Sequence, residues 1–481
     1  MRRRRRCLDP IFSFVSRSLQ RTGRRSRRRR RGLSTTAVYP SLEEKVKALN
    51  LKYLLVSFDD LFGVTRSKLV PATAAAEVEA NGAGFAGFAA NFDMSPADAD
   101  MLAMPDSATL VRLPWDKEIG WVASTLEVRG KPLAQAPRNI LKKACENLLG
   151  DHKLVLKTGV ECEFFLLSPD GKSIADSRDT AAKPCYDQQA LMRQRGFICE
   201  LNDAMGEMGF PPYQTDHEDA NGQFECNWDY DQALVTADRH TLFKFTVRSL
   251  AERHGLRATF MPKPFSYLTG NGCHAHITLH HAGSGENIFK NPASSGDCET
   301  NLLSPIGKHF VAGLLEHASA LCAITNPCVN SYKRLSAPAT TSGATWAPAS
   351  ATWAGNNRSH MIRIPDAPRI ELRLADMSTN PYLLPAALLS AGMSGVESKM
   401  DPGNPHSSNA YDDADPNKIL IRASTLPQNL LDALRALEKD SVMSEGLGLE
   451  CTTALIKLRK EQWLDFTRHL TEWELKNTLD C

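Results

Sequence analysis

Residues 153–167, KLVLKTGVECEFFLL, form a long apolar run interrupted near its middle by Glu161 and Glu163. Read as a strand, the run sends side chains alternately to opposite faces, so two carboxylates at this spacing leave by the same face. Such a pair needs a cation or water. Three further stretches supply what a cation site requires: HEDANGQFE with Glu218 and Glu225, GNGCHAHITL with His274 and His276, and RIELRLAD with Glu371. Together they predict a hard-metal, phosphate-handling site.

With 481 residues and 42% hydrophobic content, the chain is long enough for at least one large core and two or three domains. No stretch approaches the roughly 20 uninterrupted apolar residues of a membrane-spanning helix, so no membrane partner is expected. The net charge of +2 conceals an asymmetry, since residues 1–40 carry 14 Arg against the single acid Asp9. An Arg-rich, Ser-containing, acid-poor leader has the composition of a mitochondrial or plastid transit peptide. A basic nucleic-acid-binding tail and a start codon placed too far upstream are the competing readings. Nothing basic recurs in the body, which argues against nucleic acid as the main partner. The 12 Cys contain no CxxC pair, and several, such as Cys145, Cys199 and Cys322, lie in apolar stretches; reduced, buried thiols are expected.

Ser41 and Glu44 stand at capping-box spacing before YLLVSFDD, which reads as a strand, so folded structure is expected from about residue 40. Residues 41–130 alternate short strand-like runs with Gly- and Ala-rich loops, the pattern of a small sheet-based domain. After VRGKPLAQAP, PRNILKKACENLLG has helical spacing with Pro137 in its first turn, and a larger domain over residues 131–481 begins there. Helices are predicted at about 187–208, 231–254, 304–323 and 381–399, between strand-like runs. Without regular βαβ spacing, this order predicts an α+β fold.

Glu218 and Glu225 are seven positions apart, a spacing that does not stack them on one strand face, but Asn221-Gly222 invites a turn, and a hairpin brings both acids together. With Glu161 and Glu163 this makes four carboxylates that repel unless divalent cations neutralise them. Oxygen ligation with one or two His favours Mg²⁺ or Mn²⁺. The competing reading, that each is an ordinary surface acid, weakens when all four lie in apolar surroundings. His274 and His276 alternate on one face beside Gly270 and Gly272. A lone His is more often a structural group; two on one face point to metal or phosphate. Arg334, Arg358, Arg363, Arg369 and Arg373 recur among apolar residues, where an unpaired guanidinium is costly. They require anionic partners, either carboxylate and phosphate ligands or a ladder of structural salt bridges. No Walker-type or GxGxxG phosphate loop is present, so any ATP must be held by metals and Arg.

At this point the chain resembles the glutamine synthetase family, in order from about residue 45 to 405. DDLFGVTRSKLVP and MSPADADMLAMPD resemble its N-terminal β-grasp domain. GVECEFFL, HEDANGQFE, GNGCHAHITL, NSYKRL, NNRSHMIRIP and RIELRLADMSTNPYL resemble its catalytic domain, a curved antiparallel sheet with helices. The resemblance implies ATP-dependent formation of γ-glutamyl phosphate from glutamate, then attack by an amine. It implies that Glu163, Glu218 and Glu225 hold one Mg²⁺ or Mn²⁺ and Glu161, His274 and Glu371 another. His276 would contact ATP phosphate, with Arg363 and Arg369 on the nucleotide phosphates. Arg334 and Arg373 would bind the glutamate carboxylate, and Arg358 the transferred phosphoryl group. It further implies a homo-oligomeric ring with shared active sites, in which Asp60 is the neighbour's contribution to the ammonium pocket.

One departure bears on the acceptor. Glutamine-forming members carry a flap Glu six residues after the Arg of YKRL; here that position is Thr340, and no acid occurs between Lys333 and Asp366. SAPATTSGATWAPAS resembles instead the type III branch, which includes γ-glutamylmethylamide synthetases. Ammonia is the expected acceptor, with methylamine or another alkylamine as the alternative, and a glutamate- and nucleotide-binding sensor without catalysis as a third reading. All six implied metal ligands are present, which disfavours the sensor.

Overall fold

Regular structure starts at Ser41, whose hydroxyl accepts from the Glu44 N–H while the Glu44 carboxylate accepts from the Ser41 N–H. This capping box opens helix Leu42–Ala48, as the spacing predicts. The computed structural model describes residues 40–294, 299–335, 337, 338, 340, 342–365, 367–411 and 425–481, so the leader lies outside the described residues.

Seven strands make the first sheet: β1 Tyr53–Asp59, β2 Thr65–Pro71, β3 Ala83–Phe85, β4 Met101–Pro105, β5 Val111–Leu113, β6 Asp116–Val128 and β7 Lys131–Pro132. Their order is β2-β1-β6-β4-β3, with β5 and β7 also on β6. β1 runs parallel to β6 and antiparallel to β2, giving the β-grasp arrangement.

The second sheet has nine strands: β8 Leu154–Leu167, β9 Pro212–His217, β10 Gln223–Trp228, β11 Asp231–Gln232, β12 Arg257–Thr259, β13 Cys273–His281, β14 Trp353–Ala354, β15 Ile362–Arg363 and β16 Ile370–Leu372. Its order is β14-β15-β16-β13-β8-β10-β9, antiparallel except at β14 and β15, with β11 and β12 also on β8. The sheet bends into a nearly closed barrel. Helices fall where the apolar periodicity places them, including Pro137–Asn147, Arg195–Glu207, Ala233–Arg253, Pro305–Glu316 and Leu383–Glu397.

β8 separates chemistry from core by its pleat. Val160, Cys162, Phe164 and Leu166 are buried on one side, where the Phe164 ring meets Phe197, Phe243 and Phe260 at centroid distances of 6.1 Å. Each such ring contributes roughly 1.5–3 kcal/mol by leaving water, enough to fix which face of β8 points inward. Glu161 and Glu163 are thereby turned to the other face.

Two buried ties join the first sheet to helix Ala233–Arg253. Arg138 donates to both carboxylate oxygens of Asp238 at 2.9 Å and to Asp106, in the loop after β4, at 2.9 Å. Thr241 donates to Asp59, at the end of β1, at 2.8 Å. Every cysteine among the described residues is a free thiol. Cys322 is buried, whereas Cys199 corrects the expectation of burial: it lies on the exposed side of helix Arg195–Glu207, whose inward stripe is Phe197, Ile198, Leu201, Ala204 and Met205.

Candidate functional site

Strand register assembles the site. Antiparallel pairing sets Glu225 of β10 opposite Glu163 of β8, and His274 of β13 opposite Glu161. On the far side of β13, His276 faces Glu371 of β16. Directly opposed side chains in such a ladder start about 5 Å apart, so acids and imidazoles from 62 to 113 positions apart in the chain are brought within reach of one ion. The hairpin expected at Asn221-Gly222 forms between β9 and β10, with Gly222 at φ +76°, a conformation that favours glycine. It carries Glu218 back toward Glu225.

Three ligand groups result. Glu161, His274 and Glu371 offer atoms within 4.8 Å of one another; so do Glu163, Glu225 and His274, and so do Asp216, Glu218 and Glu225. The first is the triad that the family resemblance implies. The others divide the second implied set and add Asp216, which the sequence reading missed. Its signal was present in TDHED, but only the β9–β10 register, with Asp216 opposite Glu225, reveals it.

Proton positions follow from donor identity. Arg369 Nε can only donate, so His276 Nδ1, 3.1 Å away, accepts, and the proton on His276 Nε2 goes to Glu161 Oε1 at 2.8 Å. His274 Nδ1 lies 3.0 Å from Glu161 Oε2 and donates to it. Burial and the nearby Arg373 charge depress the His274 pKa, so its Nε2 keeps a free lone pair. That nitrogen is buried without a hydrogen-bond partner. Gly272 leaves the space around it open: a Cβ there would sit 2.8 Å from His274 Nε2 and 2.9 Å from Glu163 Oε1. An orphaned imidazole lone pair among carboxylates, beside a position that only glycine leaves clear, fits a divalent cation.

Electrostatics agree. Burial, then the charges of Glu163 and Asp216, push Glu218 well above the usual carboxylate range. Burial, then Glu161 and Glu218, do the same to Glu225, and burial with Glu161 and Glu163 raises Asp216 to about 6. Glu161 is the exception: burial raises it, but the hydrogen bonds and charges of His274 and His276 outweigh that and hold it well below. A cluster in which carboxyls resist ionisation is one that a cation stabilises.

The arginines divide. Arg363 Nη1 and Arg373 Nη1 each donate to one oxygen of the fully buried Glu371 at 2.5 Å. Arg334, also buried, donates to the Leu374 carbonyl at 3.0 Å and lies beside Gly272. Arg369 reaches His276 rather than Glu371. Arg358 is exposed on a turn and is not brought into the cluster. Asp60 is also elsewhere: its Oδ1 accepts from the N–H groups of Phe62 and Val64, and its Oδ2 from Arg66 and Asn91. Next to Glu161 a cavity of about 400 Å³ is lined by Tyr213, Trp228, Tyr230, His276 and Arg369 among others. Sequence reading missed its aromatic wall, because Tyr213 and Tyr230 lie in no recognisable motif.

Comparison with known proteins follows the same lines. Residues 134–478 match the family model described as "Glutamine synthetase, catalytic domain". A "Glutamine synthetase" of Rhizobium meliloti is 53% identical over 431 residues, covering 89% of this chain and 97% of the relative. A "Glutamate--methylamine ligase" of Methyloversatilis universalis is 42% identical over 443 residues, covering 91% and 98%. A solved structure described as "GmaS/ADP complex-Conformation 1" aligns with a TM-score of 0.86 at 53% identity, covering 92% of this chain and all of that one. These relatives correct the reading of the Arg-rich leader as an organelle transit peptide: Rhizobium and Methyloversatilis are bacteria, which have neither mitochondria nor plastids.

Proposed function

Because this chain belongs to the glutamine synthetase family, we propose that it is an ATP-dependent glutamate–amine ligase whose acceptor is a small alkylamine, methylamine above all. The reaction is phosphoryl transfer from ATP to the glutamate side-chain carboxylate, giving γ-glutamyl phosphate and ADP. The amine nitrogen then attacks the acyl carbon, phosphate leaves, and the amine gives up a proton. The observation that carries the ligase reading is the convergence of ligand atoms of Glu161, His274 and Glu371 within 4.8 Å of one another.

In this reading Glu161, His274 and Glu371 hold one Mg²⁺ or Mn²⁺, and Glu163, Glu218 and Glu225 a second, with Asp216 beside them. Such ions, when bound, neutralise the carboxylates and polarise phosphate oxygens. Tyr213, Trp228 and Tyr230 wall the nucleotide, while Arg369 and His276 face its phosphates from the cluster side of that cavity. Arg334 and Arg373 supply the guanidinium forks for the substrate glutamate, as planar donors suited to a carboxylate. Arg363 serves the phosphates, whereas Arg358, exposed outside the cluster, takes no role in this reading. The shared-ring assembly belongs to the same proposal.

The choice of alkylamine rests on the flap. Thr340 donates to the Ala344 carbonyl at 2.6 Å and lies 3.0 Å from the Ser342 hydroxyl, so neutral groups stand where the family resemblance implies an acid in a glutamine-forming enzyme. The methylamine ligase of Methyloversatilis and the GmaS structure support this reading. Ammonia is the second reading, favoured by the Rhizobium relative named glutamine synthetase.

The test is glutamate-dependent phosphate release from ATP with ammonium, methylamine and ethylamine in parallel, products confirmed by mass. A higher kcat/KM for methylamine than for ammonium is expected. Preference for ammonium selects the second reading, and no release with any amine overturns the ligase.

A further inference from the structure

We propose that Asp219 is the counter-ion that receives the acceptor amine in its ammonium form. The inference rests on the ligase reading and names the residue that replaces the missing flap acid.

Asp219 is 9% exposed. Its Oδ2 accepts from the Thr269 hydroxyl at 2.8 Å and from the Ser342 hydroxyl; its Oδ1 accepts nothing from the described residues. No Lys, Arg or His among the described residues forms an ion pair with it. Asp238 is paired with Arg138, Asp60 with Arg66 and Asp179 with His217, and Asp59, which also has two hydroxyl donors, feels the charge of Lys244. A carboxylate taken out of water whose donors among the described residues are two neutral hydroxyls is under-compensated. A cationic ligand supplies what is lacking.

Its position suits the acceptor. Asp219 directly follows Glu218 and donates its N–H to the Glu218 carboxylate at 3.0 Å, which puts it at the edge of the acid cluster. Thr269 opens the strand of backbone that continues through Gly270 to Gly272, whose N–H binds Glu163 at 2.7 Å. Ser342 and Thr340 belong to the acid-free flap, and Thr340 Oγ1 lies 3.4 Å from Thr269 Oγ1. Asp219 is thus the carboxylate that meets the flap, reached from both sides by segments that lead to the proposed metal ligands. The hydroxyls of Thr269 and Thr340 add acceptor lone pairs for the remaining N–H groups of a primary ammonium. Asp60, the acid that the resemblance assigns to this task, has both oxygens filled by its own turn, Arg66 and Asn91.

The test compares a charged and a neutral acceptor. Methylamine is almost wholly methylammonium near pH 8, whereas hydroxylamine is uncharged there and gives a γ-glutamyl hydroxamate. For Asp219→Asn the KM for methylammonium is expected to rise about ten- to a hundredfold, the worth of a charge-assisted hydrogen bond, while the hydroxylamine reaction falls far less. Hydroxamate formation also reports that the variant is folded. Ser342→Ala, which keeps the charge and removes one donor, should leave the KM for methylammonium within a few-fold. The proposal is overturned if Asp219→Asn weakens both acceptors equally, leaves the methylammonium KM unchanged, or is reproduced by Ser342→Ala, since the last would make Asp219 a flap latch. Failure of the unmodified protein to form product with either acceptor overturns the ligase reading first and this inference with it.

Discussion

Gly272 offers the sharpest test of the site's geometry. Replacing it with Ala puts a Cβ 2.8 Å from His274 Nε2, 2.9 Å from Glu163 Oε1 and 3.0 Å from Arg334 Nη2. Ordinary non-bonded contacts are about 3.5–4.0 Å, so each of these atoms must retreat by about 0.5–1 Å. All three are side-chain ends, and the backbone can stay in place. Misplacement of that size costs on the order of a hundredfold in rate, or about 2.7 kcal/mol of transition-state stabilisation. Stability moves little, because Ala restricts the unfolded chain by about 0.4–1 kcal/mol relative to Gly, which offsets part of the displacement. The assay pairs kcat/KM for amine-dependent phosphate release with a thermal unfolding curve. Gly206→Ala is the control, since a Cβ there meets nothing within 4 Å. A Gly272→Ala protein with full activity would falsify the crowded-site geometry; activity lost only in proportion to unfolding would show that the defect is in folding instead.

Glu371→Gln removes the charge that neutralises two buried guanidiniums, Arg363 and Arg373. A loss of about 3–5 kcal/mol is expected, read as a lower urea midpoint, and the rise in melting temperature expected of the unmodified protein with Mg²⁺ or Mn²⁺ should shrink to what the second ion site supplies. A variant that either cation stabilises as much as it does the unmodified protein would remove Glu371 from the ligand set. Asp59 gives a pH signature. Burial raises its pKa from 3.8 to about 6, against the lowering effect of the Thr65 and Thr241 hydroxyls. A folded-state value above the unfolded one means that its contribution is fully present below pH 3.8 and is lost as pH rises through 6. The difference, about 6 − 3.8 or 2.2, corresponds to about 3 kcal/mol. Asp59→Asn should therefore gain on the unmodified protein by up to that amount between pH 4 and pH 7; parallel stability profiles would show that Asp59 does not titrate in this window.

Alternation within a strand is local, and it made half of the site legible before any fold was known. Glu161 with Glu163, and His274 with His276, share faces because a strand has a period of two. The turn at Asn221-Gly222 is equally local. What the sequence left hidden depends on pairing between segments far apart. Asp216 becomes a potential ligand only because β9 pairs with β10 in a register that sets it opposite Glu225. The arginines illustrate the same limit: a salt-bridge ladder and a set of anion-binding forks have one sequence signature, and Arg363 and Arg373 turn out to grip Glu371 while Arg369 grips His276. Composition misled at the leader, because basic, acid-poor character describes a chemistry and not a compartment. The flap was half legible in the same sense. Absence of an acid between Lys333 and Asp366 is a fact of sequence, but the carboxylate that meets Ser342 comes from position 219, more than a hundred residues earlier. A slip of one residue in the β8–β10 pairing would turn Glu225 to the opposite face from Glu163. The register that the Phe164 core enforces is therefore as necessary to the chemistry as the acids themselves.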